Sequence, residues 1–166
     1  MPLLLRSIRE HRWFKKAWLE EGKAQANALA DLKPDENKLS FWHVEDNKSN
    51  LHQVVAAMAA GRDVLGNFDY ALVDQTLLTK IGIRIEDTVG HSFHKEANKY
   101  WHRDTAELSA ENVAGIANII MEHGTKERIW ESEVASLVKQ AVTSGVIDVN
   151  PLKDRLKRKG FPNWLE

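Results

Sequence analysis

Leu39-Ser-Phe-Trp-His-Val44, then Leu51, Val54, Val55 and Met58 at helical spacing, then Phe68-Asp-Tyr-Ala-Leu-Val-Asp74, is the run that decides how this chain is read. The first and last pieces are short, apolar and rich in aromatic and β-branched residues, as buried strands are. Between them, Glu45-Asp-Asn-Lys-Ser49 supplies turn and capping residues, and the i, i+3, i+4, i+7 stripe from Leu51 predicts a helix packed on one face. Gly61 stops that helix, and Gly66-Asn67 turn the chain into the second strand. Strand, helix, strand predicts two parallel neighbours joined by a right-handed crossover. The expectation is therefore a small α/β domain with a mostly parallel sheet, helices on its faces and a helical C-terminal layer.

Outward from that core, residues 3–9 read as a short strand interrupted by Arg6, Ser7 and Arg9, and residues 12–32 have helical composition weakened by Gly22. Lys33-Pro34 breaks the pattern. Residues 75–81 predict a short helix and 83–85 an edge strand, whereas 86–104 show no period and read as a long loop. Ser109 caps a helix with Val113, Ile116 and Ile120 on one face, a second helix is expected over 126–143, and a basic helix over 150–159. The whole reads as one domain: a helical region 1–37, an α/β core 38–104 and C-terminal helices 105–166.

With 166 residues and 43% hydrophobic content the chain can bury a real core. It has no cysteine, which removes disulfides, thiolate nucleophiles and cysteine metal sites and fits a cytoplasmic protein. Leu3-Leu4-Leu5 is too short for a signal-peptide core, and no apolar run approaches the ~20 residues that span a bilayer, so no membrane role is expected. The formal net charge of −1 is unevenly spread. Arg6, Arg9, Arg12, Lys15 and Lys16 face only Glu10 in the first stretch, and Lys153, Arg155, Lys157, Arg158 and Lys159 dominate the last. Basic ends on an acidic body suit nucleic acid or an acidic partner, or are simply solvated termini.

Three constellations bear chemistry. His91, His94, His102 and Asp104 lie within the aperiodic 91–104 loop and are types that ligate a divalent metal, so the loop is the candidate site of a metal-dependent hydrolase. Their spacing matches no motif with a defined mechanism, and the plainer reading is a polar loop. Asp74, with Glu45 and Asp46, would sit at the carboxyl edge of the two strands, where open parallel sheets bind ligands; each is also a natural cap or turn residue. Trp101 and the run Lys157, Arg158, Lys159 are candidate contacts to a partner or to nucleic acid, the latter as part of a helix-turn-helix that lacks base-reading asparagine or glutamine. Of the six tryptophans, Trp42 and Trp130 are assigned to the core. Gly61-Arg-Asp-Val-Leu-Gly66 has phosphate-loop glycine spacing, but Asn67-Phe68 stand where lysine and a hydroxyl residue are needed.

No reaction signature is intact. The leading expectation is a small interaction or accessory module without catalytic activity or cofactor, binding a protein or self-associating. A divalent-metal hydrolase is the alternative, and a nucleic-acid binder the second.

Overall fold

The computed structural model describes residues 2–14, 19–20 and 23–156. In chain order its elements are β1 (Leu3–Ser7), α1 (Glu10–Trp13), β2 (Leu19–Glu20), β3 (Lys23–Ala24), α2 (Ala26–Leu29), β4 (Leu39–Val44), α3 (Leu51–Ala60), β5 (Phe68–Asp74), α4 (Gln75–Lys80), β6 (Arg84–Asp87), α5 (Lys95–Tyr100), β7 (His102–Ala106), α6 (Ala110–Glu122), β8 (Thr125–Ile129), α7 (Glu131–Thr143) and α8 (Val149–Leu156). Beside the two-stranded β2–β3 ladder stands one six-stranded sheet, ordered β6-β7-β4-β1-β5-β8.

The expected mostly parallel sheet is wrong: every neighbouring pair is antiparallel. The strand–helix–strand unit itself is present as β4, α3 and β5, and its two strands do run in the same direction. They are not neighbours, because β1 lies between them. Leu3, Leu4 and Leu5 pair with Val44, His43 and Trp42 on one side, and Leu3 to Ser7 pair with Asp74 to Tyr70 on the other. A crossover helix fixes the direction of the strands it joins but leaves space for one more between them. β1 fills that space, with Leu4 and Leu5 both fully buried on opposite faces.

Helices cover both faces. Leu5, Trp42, Val44, Phe68, Tyr70 and Leu72 pack on one side with Val54 and Val55 of α3 and Val134, Leu137 and Val138 of α7. Leu4, Phe41, Ala71 and Val73 pack on the other with Leu78 of α4 and Ile116, Ala117 and Ile120 of α6. A central strand buried on both faces reads as a continuous apolar run whichever way its neighbours point, which is why β4 and β5 carry the appearance of a parallel core.

Three further expectations need correction. Residues 12–32 do not form one helix: the described parts are the short pieces α1, β2, β3 and α2. Tertiary bonds outweigh alanine-rich composition there, since the Ala24 N–H donates to Asn118 Oδ1 on α6 and the Trp13 Nε1–H to Asp31 Oδ2. The 86–104 stretch is mostly structured, holding the end of β6, all of α5 and the start of β7. Residues 125–129 are strand β8 rather than the start of a helix, and α6 and α7 therefore cover opposite faces instead of forming one layer. The polar Thr-Lys-Glu-Arg of β8 suits an edge strand. Among the described residues no helix is long and apolar enough to cross a membrane.

Candidate functional site

Where β1 and β8 end and β5 begins, an open polar cleft of about 600 Å³ is lined by Ser7, Arg9, Asp31, Arg62, Asn67, Asp69 and Arg128. One of its cations is Arg62, half-buried in the turn that follows α3. The Arg62 Nη2 donates to Ser7 Oγ at 2.7 Å and its Nη1 to the Asn67 carbonyl at 3.2 Å, while the guanidinium lies 4.2 Å from the centre of the Phe68 ring. Burial pulls the Arg62 pKa down and the nearby Asp69 opposes that pull, but an arginine stays charged under any physiological condition. Among the described residues, none brings a carboxylate within ion-pair distance of it.

Arg128 comes from β8, directly across from Asp69 of β5. It holds Asp69 as a fork, Nε to Oδ1 at 2.6 Å and Nη2 to Oδ2 at 2.9 Å, in the bidentate geometry that arginine and carboxylate favour. Its guanidinium also lies 5.4 Å from the ring centre of Trp130. On the opposite wall, Asp31 accepts from the Arg9 N–H and from Trp13 Nε1, and lies 3.5 Å from both Arg9 Nε and Arg12 Nη1. Arg6, half-buried in the sheet with its Nη1 donating to the Ser40 carbonyl, is drawn down in pKa by desolvation, which Asp31 and Asp104 oppose. Five arginines thus share this end of the molecule with Asp31 and Asp69, and the local field favours an anion. Among the described residues no histidine lines the cleft, and its two carboxylates, Asp31 and Asp69, are engaged by arginine.

Asn67 ties the cleft to the next element, because its Oδ1 accepts from the Glu131 N–H at the start of α7. Trp130, one residue earlier, was expected in the core and is instead 61% exposed. Trp42 is buried, as expected.

The residues named from sequence fall elsewhere. His94 is buried and caps α5, its Nδ1 accepting from the Ala97 N–H at 3.2 Å, its ring 5.7 Å from Trp101. His94 Nε2 is buried without a hydrogen-bond partner. His102 Nδ1 meets Thr88 Oγ1 at 2.7 Å; Thr88 and Ser40 both donate to Asp104, and His102 Nε2 stands 3.9 Å from Asp104 Oδ1. The ring of Trp42 packs edge-on against His102. Burial lowers the pKa of both His94 and His102, outweighing Glu96 at the first and Asp104 at the second. His91 is exposed. The structure joins His102 to Asp104, with His91 near enough to act on His102 electrostatically; among the described residues no three histidine or carboxylate side chains gather as a metal-ligand set.

Asp74 and the Glu45-Asp46 pair do share one end of the sheet, since Leu3 pairs with both Val44 and Asp74. β1 separates them, and Asp74 is occupied as the cap of α4, accepting from Thr76 N–H and Oγ1, which with its other surroundings lowers its pKa. Glu45 instead lies 3.4 Å from His43 Nε2, and both it and Asp46 are exposed. The arginine cleft is at the opposite end of the sheet. Trp101 is half-buried against the core, its carbonyl accepting from the His43 N–H, while Lys157, Arg158 and Lys159 lie outside the described residues, as do Lys15, Lys16 and Trp18.

No known family model, curated protein or solved structure matches this chain. Its own geometry therefore carries the functional argument. Arg62 escaped the sequence reading because its segment was tested only as a phosphate loop. The available signal was Asp69, a charged residue inside an otherwise apolar strand, which implies a cation on the neighbouring strand.

Proposed function

We propose that this chain is a non-catalytic binding module that receives a phosphate-bearing partner in the arginine cleft. The observation that supports it is Arg62: a half-buried guanidinium, oriented by Ser7 and the Asn67 carbonyl, with no ion-pair carboxylate among the described residues. An oriented arginine in an open polar cleft is suited to a planar or tetrahedral oxyanion. The basic character of the N-terminal stretch gains a location in this reading, since Arg6, Arg9 and Arg12 adjoin the same wall. The hydrolase reading draws less support, because His94 is committed to capping a helix and Asp104 to Ser40 and Thr88.

Titration calorimetry with inorganic polyphosphate at low salt tests the proposal. Binding is expected to weaken steeply as salt rises. It should weaken about tenfold in Arg62→Gln, the scale of one charge-assisted hydrogen bond. Polyphosphate binding that is indifferent to Arg62→Gln, in a variant with an unchanged unfolding midpoint, would refute it.

A further inference from the structure

Resting on that reading, we infer that the ligand is a nucleotide with an unpaired base, its phosphate held against Arg62 and Arg9 and its base stacked on Trp130. The indole is 61% exposed, and neither of the usual local reasons accounts for a tryptophan there. It contributes little to the core, and although it occupies the N-cap position of α7, its side chain makes no capping bond; serine, threonine, aspartate or asparagine is the favoured residue at such a position.

Its surroundings relate it to the cleft twice over. Arg128, which lines the cleft, lies over the indole ring. Asn67, also in the lining, holds the first amide of α7 and so fixes the backbone on which Trp130 stands. An exposed aromatic face beside a cluster of arginines is the combination that single-stranded nucleic acid requires: a π-surface for a base and cations for the adjoining phosphate. A duplex offers the same phosphates but keeps its base faces stacked on one another, so it cannot use the indole.

The test compares a short oligothymidylate, a duplex of equal length, thymidine monophosphate and inorganic polyphosphate, each titrated into the full chain and into Trp130→Ala, Trp130→Phe and Arg62→Gln. Trp130→Ala is expected to weaken the oligothymidylate roughly five-fold to a hundred-fold, the contribution of one stacked base, and to leave polyphosphate unchanged. Trp130→Phe should restore most of the loss, and the duplex should bind more weakly than the single strand. Thymidine monophosphate binding as well as the oligomer would identify a free nucleotide as the source; weak monophosphate binding would identify a strand. If Trp130→Ala changes neither ligand while Arg62→Gln weakens both, the stacking inference is overturned and the phosphate site stands. If Arg62→Gln weakens neither, both fall together.

Discussion

Acid should destabilise this fold in a window set by two buried histidines. His94 is 1% exposed and His102 8% exposed, and burial holds the pKa of each below the ordinary value of 6.5. In the unfolded chain both return to that ordinary value, so below it the unfolded state binds protons that the folded state refuses. Stability is thus fully present above about pH 6.5, declines as pH falls below it, and levels off once pH passes the depressed folded values. One pH unit below 6.5, proton uptake favours an unfolded histidine by about 1.4 kcal/mol, so the two together cost at most about 3 kcal/mol. With a urea dependence of roughly 1–3 kcal/mol per molar, the unfolding midpoint should drop by at most about one to three molar. The assay is urea unfolding in steps from about pH 7.5 to about pH 5, beside the double variant His94→Asn, His102→Asn. Asparagine can replace Nδ1 at both sites, as the acceptor that caps α5 and as the partner of Thr88. The variant should be less stable throughout, because rings are lost from packed sites, but its midpoint should vary much less over the same window. An unchanged pH slope in the double variant would refute the assignment.

Three other outcomes can be checked by the same unfolding measurements. Asp69→Asn should cost about 1–3 kcal/mol, because Arg128 loses a bidentate carboxylate, and should also tighten polyphosphate binding by removing a negative charge from the cleft. Lys126→Met should cost about 1–2 kcal/mol: the Lys126 ammonium donates to the carbonyls of Ile120, Met121 and Gly124, closing the C-terminus of α6 where a cation is favoured. Ser109→Ala should cost about 0.5–2 kcal/mol by opening the capping box it forms with Asn112 at the other end of the same helix.

Much of the local structure was legible because local chemistry determined it. The strands 39–44 and 68–74, the helix between them, the Asp74 cap and the Ser109 cap follow from apolar period and capping residues within a few positions. What failed was pairing. Nothing in residues 39–74 records that residues 3–7 will enter between the two strands, and the continuous apolar pattern of β4 and β5 is common to parallel sheets and to helix-covered antiparallel ones. β7 failed for the opposite reason. His102-Arg-Asp-Thr-Ala106 has no apolar alternation, because its buried positions are His102, Thr105 and Ala106, polar or small, and it carries the His102–Thr88–Asp104–Ser40 network. The histidines drew notice as candidate metal ligands; in the structure His94 Nδ1 serves a helix cap and His102 Nδ1 this network.

The candidate site depends on the pairing that sequence reading missed. Ser7 reaches Arg62 only because β1 lies beside β5, in the register that sets Ser7 opposite Tyr70. Arg128 reaches Asp69 only because β8 pairs with the far edge of β5. A parallel β4–β5 pair would exclude β1 from the centre and carry Ser7, Arg9 and Asp31 away from Arg62. The strand that completes the hydrophobic core thus also brings together the walls of the cleft. Entry of β1 joins segments some sixty residues apart, from Ser7 to Tyr70, a long-range closure that carries an entropic cost. Core and cleft therefore depend on the same strand, and a substitution that loosens β1 should weaken both fold stability and anion binding.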